Sequence, residues 1–286
     1  MRQILFALTV IAAPAVANAQ DVTPFADPSR LVTIGGSLTE IVFELGAEDY
    51  LVARDSTGTY PEAATELPDV GYMRALAPEG VLSVEPTAIL MLEGAGPLEA
   101  IEVLQSASVP IVTVPETFDA AGVATKVQMV GAALGLDEAA EELNARIAAD
   151  FAAVEELTAQ NSERKSVLFI LSMTGGRINA SGTGTAANGI IALAGADNAI
   201  TEYEGYKQLT EEAIITANPD VILMMDRGGD HAASDNELLN HPAVSLTTAG
   251  QNAAIVRIDG EYALGFGPRA ASAARDLSEA IYNREN

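Results

Sequence analysis

Tyr60 stands in the polar, glycine-containing stretch Ser56-Thr57-Gly58-Thr59-Tyr60-Pro61, directly after an apolar run, Tyr50–Ala53, that reads as a short strand. In an α/β lobe the loops at the carboxyl ends of strands form the ligand crevice, so Tyr60 falls where a ligand would sit. Its phenolate oxygen is a hard anionic donor of the kind that serves as an axial ligand of haem iron. A free phenol ionises only at about pH 10, so that role needs a ferric charge and preferably a neighbouring cation. An ordinary loop tyrosine satisfies the same facts.

The motif Asp226-Arg227-Gly228-Gly229 follows a second apolar run, Val221–Met225, again at a strand's carboxyl end. Arg227 offers planar donors to an anion or a phenolate; a surface pair with Asp226 or Asp230 is the competing reading. Arg74, in Gly71-Tyr72-Met73-Arg74-Ala75-Leu76, is less firmly placed. The glycine-rich stretch from Gly175 through Arg177 to Thr185 invites comparison with a phosphate loop, but it lacks the Lys-Ser/Thr pair and the GxGxxG spacing. A hairpin followed by a helix start near Ala186 suits it better. His231 and His241 have no partner at metal-ligand spacing, no Gly-x-Ser-x-Gly elbow occurs, and no carboxylate pair stands out as catalytic.

These residues need a scaffold of alternating strands and helices. Leu31–Ile34, Tyr50–Ala53, Ala88–Leu92 and Ile111–Val114 are short apolar runs, with helical spacing at Leu38–Leu45, capped by Ser37, and at Pro97–Gln105. Residues 119–160 hold no strand candidate and no proline; they read as a helix to Leu134 and, after Gly135, a long helix from Asp137 to about Thr158. A second series opens at Val167–Leu171, continues at Val221–Met225 and Ala254–Ile258, and ends in a helix from about Pro268 to Tyr282. Strands alternating with helices predict parallel sheets. The expectation is two Rossmann-like α/β lobes, 20–118 and 164–286, joined by helices over 119–163, with the ligand crevice between the lobes.

An internal repeat supports two related lobes. The segment Pro78–Met91 aligns with Glu211–Met224: in each, a glutamate (Glu79 or Glu212) opens a short helix seven residues before a proline that leads into an apolar strand.

Composition narrows the partners. The 286 residues carry 15 Lys+Arg against 40 Asp+Glu, a formal net charge of −25, so a nucleic-acid backbone or an anionic membrane surface would repel the chain. The absence of cysteine excludes disulfides, Cys-ligated metals and a lipidated N-terminal cysteine. Residues 1–19 combine Arg2, an apolar run and Ala17-Asn18-Ala19, which reads as a signal peptide cleaved after Ala19. The apolar run is shorter than the ~20 residues that span a bilayer. A soluble, unanchored periplasmic protein is expected.

Taken together, these features resemble the substrate-binding proteins of ABC importers of the helical-backbone class. Within it, Arg54-Asp55-Ser56-Thr57-Gly58-Thr59-Tyr60-Pro61, Gly71-Tyr72-Met73-Arg74-Ala75-Leu76 and the Gly182–Ala187 region resemble periplasmic haem-binding proteins. The resemblance implies ferric haem (ferric protoporphyrin IX) as transported ligand, with Tyr60 on the iron and Arg227 steadying its phenolate. It suggests Arg74 and Arg177 for the propionates, and Glu79 and Glu212 docking on an inner-membrane permease dimer. Some relatives present a histidine near Ile170-Leu171-Ser172-Met173; here Met173 is expected as pocket wall. The implied protein is a monomer with a stiff hinge and no catalytic activity. The alternatives are a siderophore or corrinoid carrier and, in another class, an exported two-lobed enzyme.

Overall fold

The computed structural model describes residues 22–226 and 233–282. The expected signal peptide, Arg227 and His231 lie outside the described residues.

The first sheet is wholly parallel. Its strands are β1 (Leu31–Ile34), β2 (Leu51–Arg54), β3 (Ala88–Leu92) and β4 (Ile111–Val114), in the order β2-β1-β3-β4. β1 and β3 are buried at every position, as strands covered on both faces must be. Helices α1 (Gly36–Glu44), α2 (Pro78–Leu82) and α3 (Leu98–Ser106) belong to this lobe. Ser37 does not cap α1: the helix begins at Gly36, two residues before the expected Leu38, with Gly35 as N-cap, and the Ser37 hydroxyl is buried without a partner among the described residues.

The chain crosses to the second lobe through α4 (Ala120–Leu134) and α5 (Asp137–Thr158). Asp119 caps α4 by accepting the Gly122 N–H, and Gly135 ends it in the left-handed conformation at φ 69°, where a side chain would be strained. α5 buries Ala140, Leu143, Ile147 and Val154, one stripe along a helix about 33 Å long, and leaves its other faces to solvent. Asp137 is its first helical residue rather than its cap, and acts there through the helix dipole. The fully buried Lys126 of α4 pairs with Glu116 and donates to the Phe266 carbonyl at 3.1 Å, fastening α4 to the second lobe.

The second sheet contains β5 (Ser166–Thr174), β6 (Arg177–Ser181), β7 (Asp197–Asn198), β8 (Tyr206–Gln208), β9 (Val221–Asp226) and β10 (Ile255–Asp259). Its order is β10-β9-β5-β6-β8, with β7 also on β5. It is mixed where the strand–helix alternation predicts a parallel sheet. β5 doubles back on β6 through Gly175 and Gly176, both at positive φ, so the glycine-rich stretch is a hairpin. β8 is antiparallel to β6, whereas β7, β9 and β10 run parallel in the sheet. The remaining helices are α6 (Ala186–Leu193), α7 (Glu211–Ala217), α8 (Asp235–Leu239), α9 (Thr248–Gln251), α10 (Gly260–Leu264) and α11 (Ala270–Tyr282).

The internal repeat is real in three dimensions. α2 leads into β3 and α7 into β9, and β3 and β9 each pair in parallel with both their lobe's first strand and its last. The residue before each proline, Glu85 or Asn218, adopts positive φ at 48° and 39°. One apolar core runs from β1 to α11 through both lobes. A smaller cluster fills the outer face of the second sheet around Leu168, Ile170 and Met224.

Candidate functional site

The edge strands β2 and β10 bring their following loops together. The β2 loop is organised by Asp55, which is fully buried. Its carboxylate accepts the Gly35 N–H at 3.0 Å, the Thr57 hydroxyl at 2.7 Å and the Met73 N–H at 3.1 Å. Burial raises the Asp55 pKa, and those three donors pull it back. Arg54 and Ser56 bind Asp69, which also accepts the Gly71 N–H. Both loops named in the sequence, 54–61 and 71–76, are thereby held as one unit. The second tethers a third loop, because Gly96 donates to the Met73 carbonyl and accepts from Leu76, both at 2.8 Å.

Tyr60 lies at the end of this unit, 39% exposed, and its hydroxyl has no hydrogen-bond partner among the described residues. Its ring is covered by a cation from the other lobe: the Arg269 guanidinium carbon sits 3.4 Å from the ring centroid. Next to it, the Thr59 hydroxyl and N–H both donate to Glu261 of α10. The approach is close enough that a Cβ on Gly36 would lie 2.4 Å from both Glu261 Oε1 and the Thr57 carbonyl oxygen, so glycine is required there. Arg269 is anchored in turn by Glu40 of α1, through its backbone N–H at 3.1 Å and its guanidinium at 3.0 Å.

The neighbouring tyrosines are poor candidates for an anionic ligand. Tyr262 donates to Asp276 at 2.8 Å, and burial together with that carboxylate pushes its pKa up to about 12. Burial also raises Tyr206 and Tyr203.

The other residues singled out in the sequence are spread around this centre. Arg74 is exposed in the 72–75 turn of the first lobe, near enough to Tyr206 of the second for its charge to act on that hydroxyl. Arg177 is exposed at the start of β6. Among the described residues neither arginine has an ion pair or hydrogen bond, although the chain has far more acids than bases. Met173 pairs with Ile178 across the hairpin and packs at the margin of the smaller apolar cluster. Glu79 and Glu212 are exposed in the first turns of α2 and α7. His241 is structural: Nδ1 accepts the Ala243 N–H and Nε2 bonds the Gly176 carbonyl, locking the hairpin turn. No cluster of three or more metal-ligating side chains occurs among the described residues. Tyr72, on the 71–76 loop, and Leu98, the first residue of α3, leave large apolar surfaces exposed, at 46% and 69%.

Sequence reasoning missed Arg269, Glu40 and Glu261. The available signal was Glu40 itself, an acid inside the apolar face of Ser37-Leu38-Thr39-Glu40-Ile41-Val42.

Two α/β lobes meeting at this junction suit a solute-binding protein, and the chain belongs to the periplasmic binding protein family, whose pattern matches residues 31–262. It is a substrate-binding protein of the ABC-importer type, and its family and structural neighbours are transport proteins. Among solved structures it is similar to the periplasmic haem-binding protein BhuT in complex with two haems: 37% identity, TM-score 0.85, 89% of this chain and 98% of that one. It is also similar to the periplasmic haem-binding protein RhuT from Roseiflexus sp. RS-1 in apo form, with 36% identity, TM-score 0.84 and the same coverage. The uncharacterised ABC transporter substrate-binding lipoprotein YvrC of Bacillus subtilis is 29% identical over 270 residues, 93% of this chain and 84% of the relative.

Proposed function

We propose that this protein captures ferric haem between its lobes in the periplasm and delivers it to an ABC permease of the inner membrane. The observation that carries the reading is Tyr60: a tyrosine where the lobes meet, with a cation on its ring and a hydroxyl unengaged among the described residues. A phenolate bound to ferric iron is a hard donor on a hard acid. Arg74 and Arg177, cations without counter-ions among the described residues, suit the two propionates. Exposed apolar side chains such as Tyr72 and Leu98 suit the porphyrin face, since burying apolar surface is worth about 25 cal/mol per Å². Arg227 remains a proposed second cation for the phenolate. The haem-binding relatives at 36–37% identity support the same cargo. Nothing in this role needs a reaction at the site.

Export fits the N-terminal sequence, and Glu79 and Glu212, one per lobe at equivalent places in the repeat, are proposed as the permease contacts. The experiment is titration of the purified mature protein with hemin and, separately, with cyanocobalamin. A Soret band with a charge-transfer band typical of tyrosinate-ligated ferric haem, saturating at a defined ratio, is expected for hemin only. Binding of the corrinoid without hemin would replace this reading.

A further inference from the structure

The Glu40 carboxylate is 4% exposed, yet it serves a single residue of the other lobe, 229 positions away. One oxygen takes the backbone N–H of Arg269 and the other takes Nη2, so both the start of α11 and the guanidinium are fixed. A buried ion pair by itself is weak evidence of stabilisation, because desolvation offsets the attraction. The guanidinium is also poorly satisfied as a hydrogen-bonding group, since its Nε is buried with no partner among the described residues. Such an orphan donor is costly. What the guanidinium does have is stacking: the Tyr60 ring at 3.4 Å and the Tyr262 ring at 5.2 Å from its central carbon. Its central carbon lies over aromatic rings while Nη2 bonds Glu40.

We infer that Glu40 is a positioning residue for ligand capture, acting through Arg269: it holds the guanidinium over the Tyr60 ring and so fixes the direction in which the phenol oxygen meets the iron. This rests on the haem reading above. Tyr60 has no hydrogen bond of its own among the described residues, so the stacked cation is what orients the ring. Because Glu40 belongs to the first lobe and Arg269 to the second, the orientation of Tyr60 depends on how the lobes meet. Thr59, bound to Glu261, gives the same loop a second tie across that junction.

The test measures hemin dissociation into an excess of a haem-scavenging protein for Arg269→Gln, Arg269→Lys and Glu40→Gln, each in wild-type and Tyr60→Phe backgrounds. Thermal melting of the ligand-free proteins checks folding. Arg269→Gln should speed release by about tenfold, the scale of a partly desolvated cation–π contact. Glu40→Gln should act in the same direction by less. Arg269→Lys keeps the charge but not the planar face, so it should restore release only partly. In the Tyr60→Phe background none of the three should matter by more than about twofold, since there is no phenol oxygen left to aim. Should Arg269→Gln not fold, Arg269→Lys and Glu40→Gln carry the comparison. Equal acceleration with and without the Tyr60 hydroxyl, or no acceleration in either, overturns the inference while leaving haem binding intact. A wild type that takes up no hemin overturns the haem reading, and this inference falls with it.

Discussion

Asp55 accepts the backbone N–H of Met73 at 3.1 Å, and that bond ties the loop carrying Tyr60 to the loop carrying Arg74. The same carboxylate reaches back to Gly35 at the end of β1 and forward to Thr57, so one buried acid sets the relative positions of three segments.

Asp55→Ala should therefore damage both stability and capture. It leaves the N–H groups of Gly35 and Met73 without acceptors, and a single unsatisfied buried donor costs about 1–3 kcal/mol. Denaturant unfolding should show a loss of at least that size, and hemin affinity should fall because the two loops no longer move as one. Unchanged affinity in a destabilised variant would show that the two loops are positioned by other contacts.

Glu261 provides a pH test of the inter-lobe tie. Burial raises its pKa above the ordinary 4.5, with the Thr59 bonds opposing that rise. A carboxylate raised in the folded state binds its proton more tightly there than in the unfolded chain. Its stabilising contribution is thus complete below pH 4.5 and is lost as pH climbs through the raised value. The stability of wild type relative to Glu261→Gln should accordingly decline between pH 4.5 and neutrality, as read by denaturant unfolding at several pH values. A difference that grows with pH contradicts the assignment.

Glu79 and Glu212 should matter for transport and hardly for haem. Each occupies a helix's first turn, where a carboxylate contributes about 0.3–1 kcal/mol locally. Two exposed carboxylates on separate lobes can engage two permease subunits at once, and bivalency makes the pair worth more than either alone. Charge reversal to Lys at both positions should abolish haem uptake by permease-containing vesicles, single reversals should be milder, and hemin titration of the double variant should match wild type. Normal transport by the double variant would reduce both residues to helix-end charges.

The architecture was legible because it is written in local patterns. α5 follows from the residues between Gly135 and Thr158, β3 and β4 are bounded as their apolar runs suggest, and the α2–β3 and α7–β9 repeat shows as an alignment within the chain. The mixed second sheet was less legible. A strand–helix alternation predicts parallel pairing, and it was Gly175 and Gly176, at positive φ, that turned β5 back on β6 instead. At the site, Tyr60 was legible from its loop, but its cation was not. Arg269 follows Gly267-Pro268 far along the chain, and only the meeting of the β2 and β10 loops brings it to the ring. Glu40 signalled a buried partner by its apolar surroundings, yet a pattern read along one helix cannot say which distant arginine that partner is. Arg74 and Arg177 were nameable as cations, but that they stand without counter-ions among the described residues emerges only from the folded packing.

A Tyr60 oxygen bound to ferric iron is tested by the absorption spectrum and hemin affinity of Tyr60→Phe beside wild type. The substitution removes one oxygen and keeps the ring against Arg269. The variant should lose the tyrosinate-to-iron charge-transfer band and bind hemin at least about tenfold more weakly, with thermal stability near wild type. A Tyr60→Phe protein that retains both the wild-type spectrum and the wild-type affinity would contradict iron ligation by Tyr60.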